Sequence, residues 1–420
     1  MKRTVKFLAF LTLLILTGKE LHRLLMDDTQ SYTRLMMHEL YHEDIDILFV
    51  GSSHCYAALD PAVTDPVFRK NTFNGGSSLQ ALDASFAVIR EAAAAHDLEE
   101  VYLELYFKMA ENDDYQERTE LTGTYLISDY MRPSLRKASF LLNASAKPYW
   151  LNGFLPVIRE RENLFNFQRM KMLSAKKADP VYRHYAYDWV TYPNAAYRGK
   201  GYVAEYAARD TDYYYDSAGF DRIHVENTSA DWIRTLREII VYCNEKGIRL
   251  TLFSAPMADF QLIGSGNYDE FIALAESFGV PYIDFNLTRP EYWDPSPDYF
   301  VDAGHLSDKG ASAFSELFAN TFTGAIPAQN LFYDSYEEKI NALEGRLLGI
   351  SFQDEGEEIR NLKLISTLPS GTDYQIFMIP NSAPAYHAVP NDSMIWSIPR
   401  GEQGICEIRA NGKVFQIAYN

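Results

Sequence analysis

The chain has 420 residues, 47% of them hydrophobic and 14% aromatic, which is long enough for two folded units and apolar enough to exclude disorder as its default state. Lys and Arg number 39 against 57 Asp and Glu, and a formal net charge of −18 opposes a phosphate backbone, so nucleic acid is not an expected partner. Three widely spaced cysteines, Cys55, Cys243 and Cys406, fit neither a disulfide framework nor the paired spacing of a zinc site, and no metal is expected.

Residues 1–25 read as a signal peptide or signal anchor. Lys2, Arg3 and Lys6 precede an apolar run from Phe7 to Thr17. The run is shorter than the roughly 20 residues of a comfortable membrane span, and no small-x-small cleavage site follows it. An extracytoplasmic location, membrane-anchored or secreted, is expected; the alternative is a buried helix of a cytosolic protein.

From about residue 44 to 325, short apolar runs alternate with amphipathic stretches, which predicts βαβ units around a parallel sheet. Strands are expected at 44–50, 71–74, 99–107, 248–256 and 281–286. Helices are expected at 79–97, at 229–247 with Ser229 as N-cap and Gly247 at its end, at 268–279 and at 311–322. Residues from about 108 to 225 break this rhythm and read as a large, partly helical insertion. The tyrosines at 213–215 within it are candidates for stacking on sugar rings or for packing the insertion's own surface. After a linker-like stretch at 324–330, a helix is expected at 335–345. The last 70 residues alternate apolar and polar positions, with a hairpin signal at Asn411–Gly412, as in a small β-sandwich or sheet.

In an open parallel sheet, functional groups gather beyond the carboxyl ends of the strands. "GSSH" (51–54) follows the first expected strand, "NGGSS" (74–78) the second, and "DAGHLSDKG" (302–310) comes shortly after the fifth. A serine hydroxyl becomes a nucleophile when an imidazole takes its proton and a carboxylate holds that imidazole. Ser53, His305 and Asp302 supply all three groups, with Ser52 as the alternative nucleophile. For the developing oxyanion, the expected donors are the backbone N–H of Ser53, those of Gly75 or Gly76, and the Asn74 side chain. His54 and Glu104 are candidate pocket residues, His54 alternatively filling a helix start and Glu104 alternatively a partnered structural carboxylate. Cys55 is expected as a small buried residue.

These three blocks, in this order and spread over about residues 44–322, resemble the SGNH/GDSL hydrolase superfamily, and within it the DltD-like, membrane-tethered branch. The resemblance implies a flavodoxin-like three-layer α/β sandwich over residues 26–325, with Ser53 as nucleophile, Asp302 and His305 as the remaining pair, and Gly75 or Gly76 as the second-block glycine. The usual third-block GxND is absent, since "LELYF" (103–107) stands at that strand end. This favours the DltD-like branch over a generic esterase and leaves the third oxyanion donor unassigned. The expected function is thus an exported serine acyltransferase or esterase acting without cofactor on acetyl or small O-acyl groups of a cell-envelope glycan or polymer. A membrane acyltransferase of the MBOAT type is an implied partner, and residues 326–420 form a C-terminal β-rich domain. The competing expectation is a non-catalytic envelope protein that keeps the fold to bind a glycan or scaffold a partner.

Overall fold

The computed structural model describes residues 2–106, 109–110, 114–115, 117–186, 190–192, 194–206, 223–224, 228–257, 266–293, 297–302, 304–327, 330–342, 348–355, 359–366, 373–389, 394–399, 401–410 and 413–419. The tyrosines at 213–215 and the Asn411–Gly412 turn lie outside the described residues. Helices α1 (Lys2–Leu25) and α2 (Tyr32–Leu40) open the chain, followed by β1 (Ile47–Val50), α3 (Ser53–Tyr56), α4 (Pro61–Phe68), β2 (Thr72–Asn74), α5 (Leu82–Ala95) and β3 (Glu100–Glu104). The insertion carries α6 (Thr122–Ser128), α7 (Leu135–Asn143), α8 (Trp150–Phe154), α9 (Pro156–Arg159), α10 (Phe167–Ala178) and α11 (Pro180–Arg183). It continues with β4 (Val190–Tyr192), β5 (Ala195–Gly199), β6 (Tyr202–Glu205) and β7 (Ile223–His224). The rhythm then resumes through α12 (Ala230–Lys246), β8 (Arg249–Ser254), α13 (Gly266–Phe278), β9 (Tyr282–Asp284), α14 (Asp308–Phe322) and α15 (Tyr336–Ala342).

The five expected strands form one parallel sheet in the order β2-β1-β3-β8-β9. That order is consistent with a flavodoxin-like core. Side chains that alternate along each strand divide between two apolar cores. Leu48, Val50, Val101, Leu103 and Leu252 pack with Val88 and Ile89 of α5, Ile239 of α12 and Phe271 of α13. Ile47, Phe49, Tyr102 and Phe253 point the other way, onto Phe314 and Phe318 of α14. A sheet covered on both faces explains why its strands read as continuous apolar runs. The expected caps are present: Ser229 Oγ accepts from Trp232 N–H, and Gly247 takes φ +70° at the end of α12, a left-handed conformation that favours glycine.

Strand β3 ends at Glu104, earlier than expected, with Leu105 N–H still bonded to Phe253 O of β8 at 2.8 Å. The insertion is partly helical, and β4, β5 and β6 add a small antiparallel sheet to it. Its β5–β6 turn docks on the end of β2: Asn74 N–H donates to Lys200 O at 2.9 Å. Gly201 sits there at φ +82°, and a Cβ would fall 1.6 Å from Asn74 O, so only glycine fits. Helix α1 rests against α9 and α10, while its Phe7, Phe10, Leu13 and Leu16 are between 57% and 63% exposed. Among the described residues, no helix is long and apolar enough to cross a membrane.

Beyond the α/β unit, β10 (Leu348–Glu355), β11 (Ile359–Ser366), β12 (Tyr374–Pro380), β13 (Tyr386–Ala388), β14 (Ile395–Pro399), β15 (Gly404–Ala410) and β16 (Lys413–Tyr419) form two four-stranded sheets. One contains β14-β11-β10-β7, so the insertion lends it an edge strand; the other contains β13-β12-β15-β16. Leu362, Leu364 and Ile398 from the first share a core with Ile376, Met378, Cys406 and Ile408 from the second. The boundary falls later than residue 326. Leu331 is buried in the α/β core, and Lys339 Nζ of α15 donates to Asn286 O at 2.5 Å, so the chain stays on the α/β unit through α15.

Candidate active site

Strand β1 runs into Gly51, where the chain must turn beneath the end of β3. A Cβ on Gly51 would lie 2.5 Å from Glu104 Cβ and 2.6 Å from its Oε2, so glycine here permits close approach of two strand ends. Ser52 then caps α3: its hydroxyl accepts from His54 N–H at 3.2 Å and donates to Glu104 Oε2 at 2.9 Å, while its N–H donates to the same oxygen at 2.8 Å. Three bonds thus fix the residue immediately before Ser53.

The second half of the site sits on the loop that enters α14. Phe300 and Leu306 form an antiparallel bridge, and Val301 N–H donates to His305 O at 2.9 Å, which closes a tight loop around Asp302. Asp302 Oδ1 accepts the N–H groups of Gly304 and His305, each at 3.0 Å. It also lies 2.8 Å from His305 Nδ1, with Oδ2 at 3.0 Å. His305 Nε2 lies 2.8 Å from Ser53 Oγ. With Nδ1–H directed to the carboxylate, Nε2 is the acceptor facing the serine hydroxyl.

Burial by itself would raise the Asp302 carboxyl. The hydrogen bond and charge of His305, with the two loop N–H groups, outweigh it and hold the carboxyl well below its usual range. Asp302 is therefore an anion able to orient the imidazole and to stabilise its protonated form. The His305 and Asp302 side chains are 26% and 30% exposed, so the constellation is open to a substrate.

The expected oxyanion donors fare differently. Gly75 N–H donates to Phe49 O at 2.7 Å, and Gly76 N–H donates to Asn74 Oδ1 at 3.0 Å. The Asn74 amide donates to Cys55 O at 2.9 Å and Leu59 O at 2.8 Å. These residues tie the turn after β2 to the segment following Ser53, and their protons are spent in doing so. Of the expected donors, only Ser53 N–H has no acceptor among the described residues. It stands in the first turn of α3, where backbone donors lack intrahelical partners.

The remaining expectations resolve by burial. Ser52, the alternative nucleophile, is 3% exposed and bonded to Glu104 rather than to His305. His54 is 4% exposed; its ring centroid lies 3.9 Å from that of Tyr106 and 4.8 Å from that of His305. It stands behind the loop that carries Asp302 and His305: a Cβ on Gly304 would approach His54 Cε1 to 2.7 Å. Glu104 is a buried partner of the turn after β1, and burial pushes its carboxyl up to about 7 against the lowering effect of Ser52 and of the charge on His305. Cys55 is fully buried, with its thiol pushed up by burial and its Sγ 3.5 Å from Asn74 Oδ1.

Sequence reasoning missed the parts of the site that come from packing. Tyr106 carries no motif. Tyr56 of α3 donates to Glu205 Oε1 at 3.3 Å, and Tyr202 donates to Asp308 Oδ1 at 3.0 Å, so the insertion's hairpin braces both α3 and α14. The Gly-Lys-Gly turn at 199–201 was the one readable signal of that hairpin. No protein-family model matches the chain, and no curated protein is significantly similar to it.

Proposed function

We propose that the chain is an SGNH-type serine acyltransferase or esterase that acts outside the cytoplasm on O-acyl groups of a cell-envelope glycan or polymer. The observation that carries this reading is the continuous line Ser53 Oγ, His305 Nε2, His305 Nδ1, Asp302, with a 2.8 Å separation at each hydrogen-bonded step. Three groups aligned on a half-buried face are more than a strand-end turn requires. The resemblance to the DltD-like branch supports the acyl substrate class and an MBOAT-type membrane partner. The basic and apolar start of the chain supports export.

In this mechanism Ser53 Oγ attacks the acyl carbonyl carbon while its proton passes to His305 Nε2. Asp302 stabilises the resulting imidazolium, and Ser53 N–H donates to the carbonyl oxygen as it becomes an anion. The imidazolium proton then goes to the departing alkoxide, which leaves as an alcohol, and the acyl group stays on Ser53 as an ester. Water or a sugar hydroxyl gives its proton to Nε2, attacks the acyl-serine and regenerates the free hydroxyl. Water yields hydrolysis; a sugar yields transfer.

A serine-directed fluorophosphonate tests the reading. It is expected to label the wild-type chain and not Ser53→Ala, and the wild type is expected to release nitrophenol from a nitrophenyl acyl ester. A wild-type chain that is folded yet neither labelled nor active on the ester would overturn the proposal in favour of a non-catalytic binding protein.

A further inference from the structure

Helix α1 is buried only at its foot, where Leu25 is fully enclosed. Three cations of the insertion clasp this point. Arg169 Nη1 donates to Leu25 O and Lys177 Nζ to Met26 O, each at 2.5 Å, and Arg159 Nη2 lies 3.6 Å from Met26 Sδ. From Leu16 to Glu20 every residue is exposed, so the helix leaves the body beside α9 and α10 within its last two turns. Its outer run, FLAFLTLLIL (7–16), has Thr12 as its single polar residue and is therefore apolar on every side. A protein groove covers one side of such a helix, whereas hydrocarbon covers all of them.

The ground around that foot is apolar as well. Leu151, Phe154, Leu155, Phe165, Phe167 and Met172, on α8, on α10 and in the connections beside them, are between 39% and 84% exposed. Large apolar side chains gathered on one exposed segment mark a surface that something else covers. The same segment is basic: residues 132–183 carry eleven Lys and Arg against three Asp and Glu, in a chain whose formal net charge is −18. Lys147, Arg161, Lys171 and Lys176 are exposed, and among the described residues none of them takes part in an ion pair. Exposed Phe and Leu interleaved with unpaired cations are the composition of helices that lie in the headgroup layer of an anionic membrane.

We propose that α8, α9 and α10 form a second membrane contact, seated on an anionic bilayer surface beside the point where α1 enters it. The apolar run of α1 from Phe7 to Thr17 is eleven residues long, about 16 Å at roughly 1.5 Å per residue, or about half of a hydrocarbon core of about 30 Å. One short apolar segment is a marginal anchor, and a basic patch at its foot supplies the second signal that stable attachment requires. Lys147, Arg161, Lys171 and Lys176 meet the lipid phosphates, while Phe165, Phe167, Leu151 and Leu155 enter the boundary between headgroups and acyl chains. A soluble polyanion would satisfy the cations and leave these apolar side chains in water. The contact concerns how the chain is seated, and it stands or falls independently of the serine chemistry.

The test is made on the full chain with phosphatidylcholine vesicles that contain or lack phosphatidylglycerol. The native cysteines are buried, so an environment-sensitive thiol fluorophore can be placed at Phe165→Cys or Leu155→Cys, with Val389→Cys, exposed in the C-terminal sheets, as control. With phosphatidylglycerol present, the labels at 155 and 165 are expected to shift to the blue and to be quenched by doxyl-labelled lipid at least about threefold more than the label at 389. Arg161→Glu, Lys171→Glu and Lys176→Glu combined are expected to cut the response at 165 by at least about fivefold, with the thermal unfolding midpoint unchanged and the chain still floating with the vesicles through α1. The proposal is overturned if the chain floats with vesicles while the labels at 155 and 165 stay in water, or if pure phosphatidylcholine gives an equal response. It is overturned too if the response appears without vesicles, either on raising the protein concentration, which would make a second copy the occupant, or on adding soluble polyphosphate.

Discussion

Replacing Glu104 by Gln is expected to make the α/β unit more stable above neutral pH, although the substitution removes a charge that the structure visibly uses. Glu104 is 4% exposed, and its Oε2 accepts both donors of Ser52. Burial raises its carboxyl from 4.5 to about 7, and the Ser52 bonds and the charge on His305 only partly offset this. A carboxyl with a higher pKa in the folded state binds more protons there than in the unfolded chain between those two values. Its contribution to stability is therefore fully present below about pH 4.5 and declines as pH rises through about 7.

At roughly 1.4 kcal/mol per pH unit, that interval corresponds to about 3 kcal/mol. Gln keeps the shape and an acceptor oxygen but does not titrate, so it removes this loss. Urea unfolding over a pH series, followed by fluorescence of the buried Trp232 and Trp293, is the assay. The stability difference between Glu104→Gln and wild type is expected to shift in favour of the variant by about 3 kcal/mol from pH 4.5 to above pH 7. Glu104→Ala is the contrast: it strands both Ser52 donors and is expected to cost on the order of 2–3 kcal/mol at acid pH. Parallel pH profiles for wild type and Glu104→Gln would refute the reasoning, because they would mean that Glu104 titrates alike in the folded and unfolded chains.

Asn74→Ala deletes two buried hydrogen bonds to Cys55 O and Leu59 O and strands Gly76 N–H, and is expected to lower stability by about 2–4 kcal/mol, read by thermal unfolding. Gly304→Ala places a Cβ 2.7 Å from His54 Cε1, so it is expected to displace the loop bearing His305 and slow fluorophosphonate labelling by at least about tenfold. Asp302→Asn removes the anion that orients His305, and labelling is expected to fall by on the order of 10⁴-fold with the unfolding midpoint little changed. Because Asp302 is held well below the usual carboxylate range, wild-type labelling is expected to show no loss through this group between pH 5 and 8.

What could be read from the sequence was whatever the local pattern determines. Four-residue apolar runs such as Ile47–Val50, alternating with helices such as Leu82–Ala95, specify strands buried on both faces, and the parallel sheet follows from that alternation. The pairing of Asp302 with His305 was readable for the same reason: three residues apart, they meet in a loop that closes on itself at Val301 and His305. Their meeting with Ser53 is non-local, spanning 252 residues, and it was inferred only because strand ends share one edge of the sheet. Hydrogen-bond commitments are a different matter. Gly75, Gly76 and Asn74 have the composition of an oxyanion loop, yet whether their protons face a substrate or the protein depends on where Phe49, Cys55 and Leu59 present their carbonyls. No spacing rule contains that information.

The same distinction explains the strand end that departs from the familiar pattern. Where a GxND block would bring an asparagine, this chain has Glu104, buried under Gly51 and bonded to Ser52. In that position the carboxyl spends Oε2 on fixing Ser52, accepting both its N–H and its O–H. In the proposed mechanism the oxyanion donor is Ser53 N–H, whose direction depends on the very turn that Glu104 holds. Glu104→Ala should for that reason slow acylation more than its cost in stability accounts for. Glu104→Gln, which preserves the Ser52 contacts through its carbonyl oxygen, should leave the labelling rate within a few-fold of wild type.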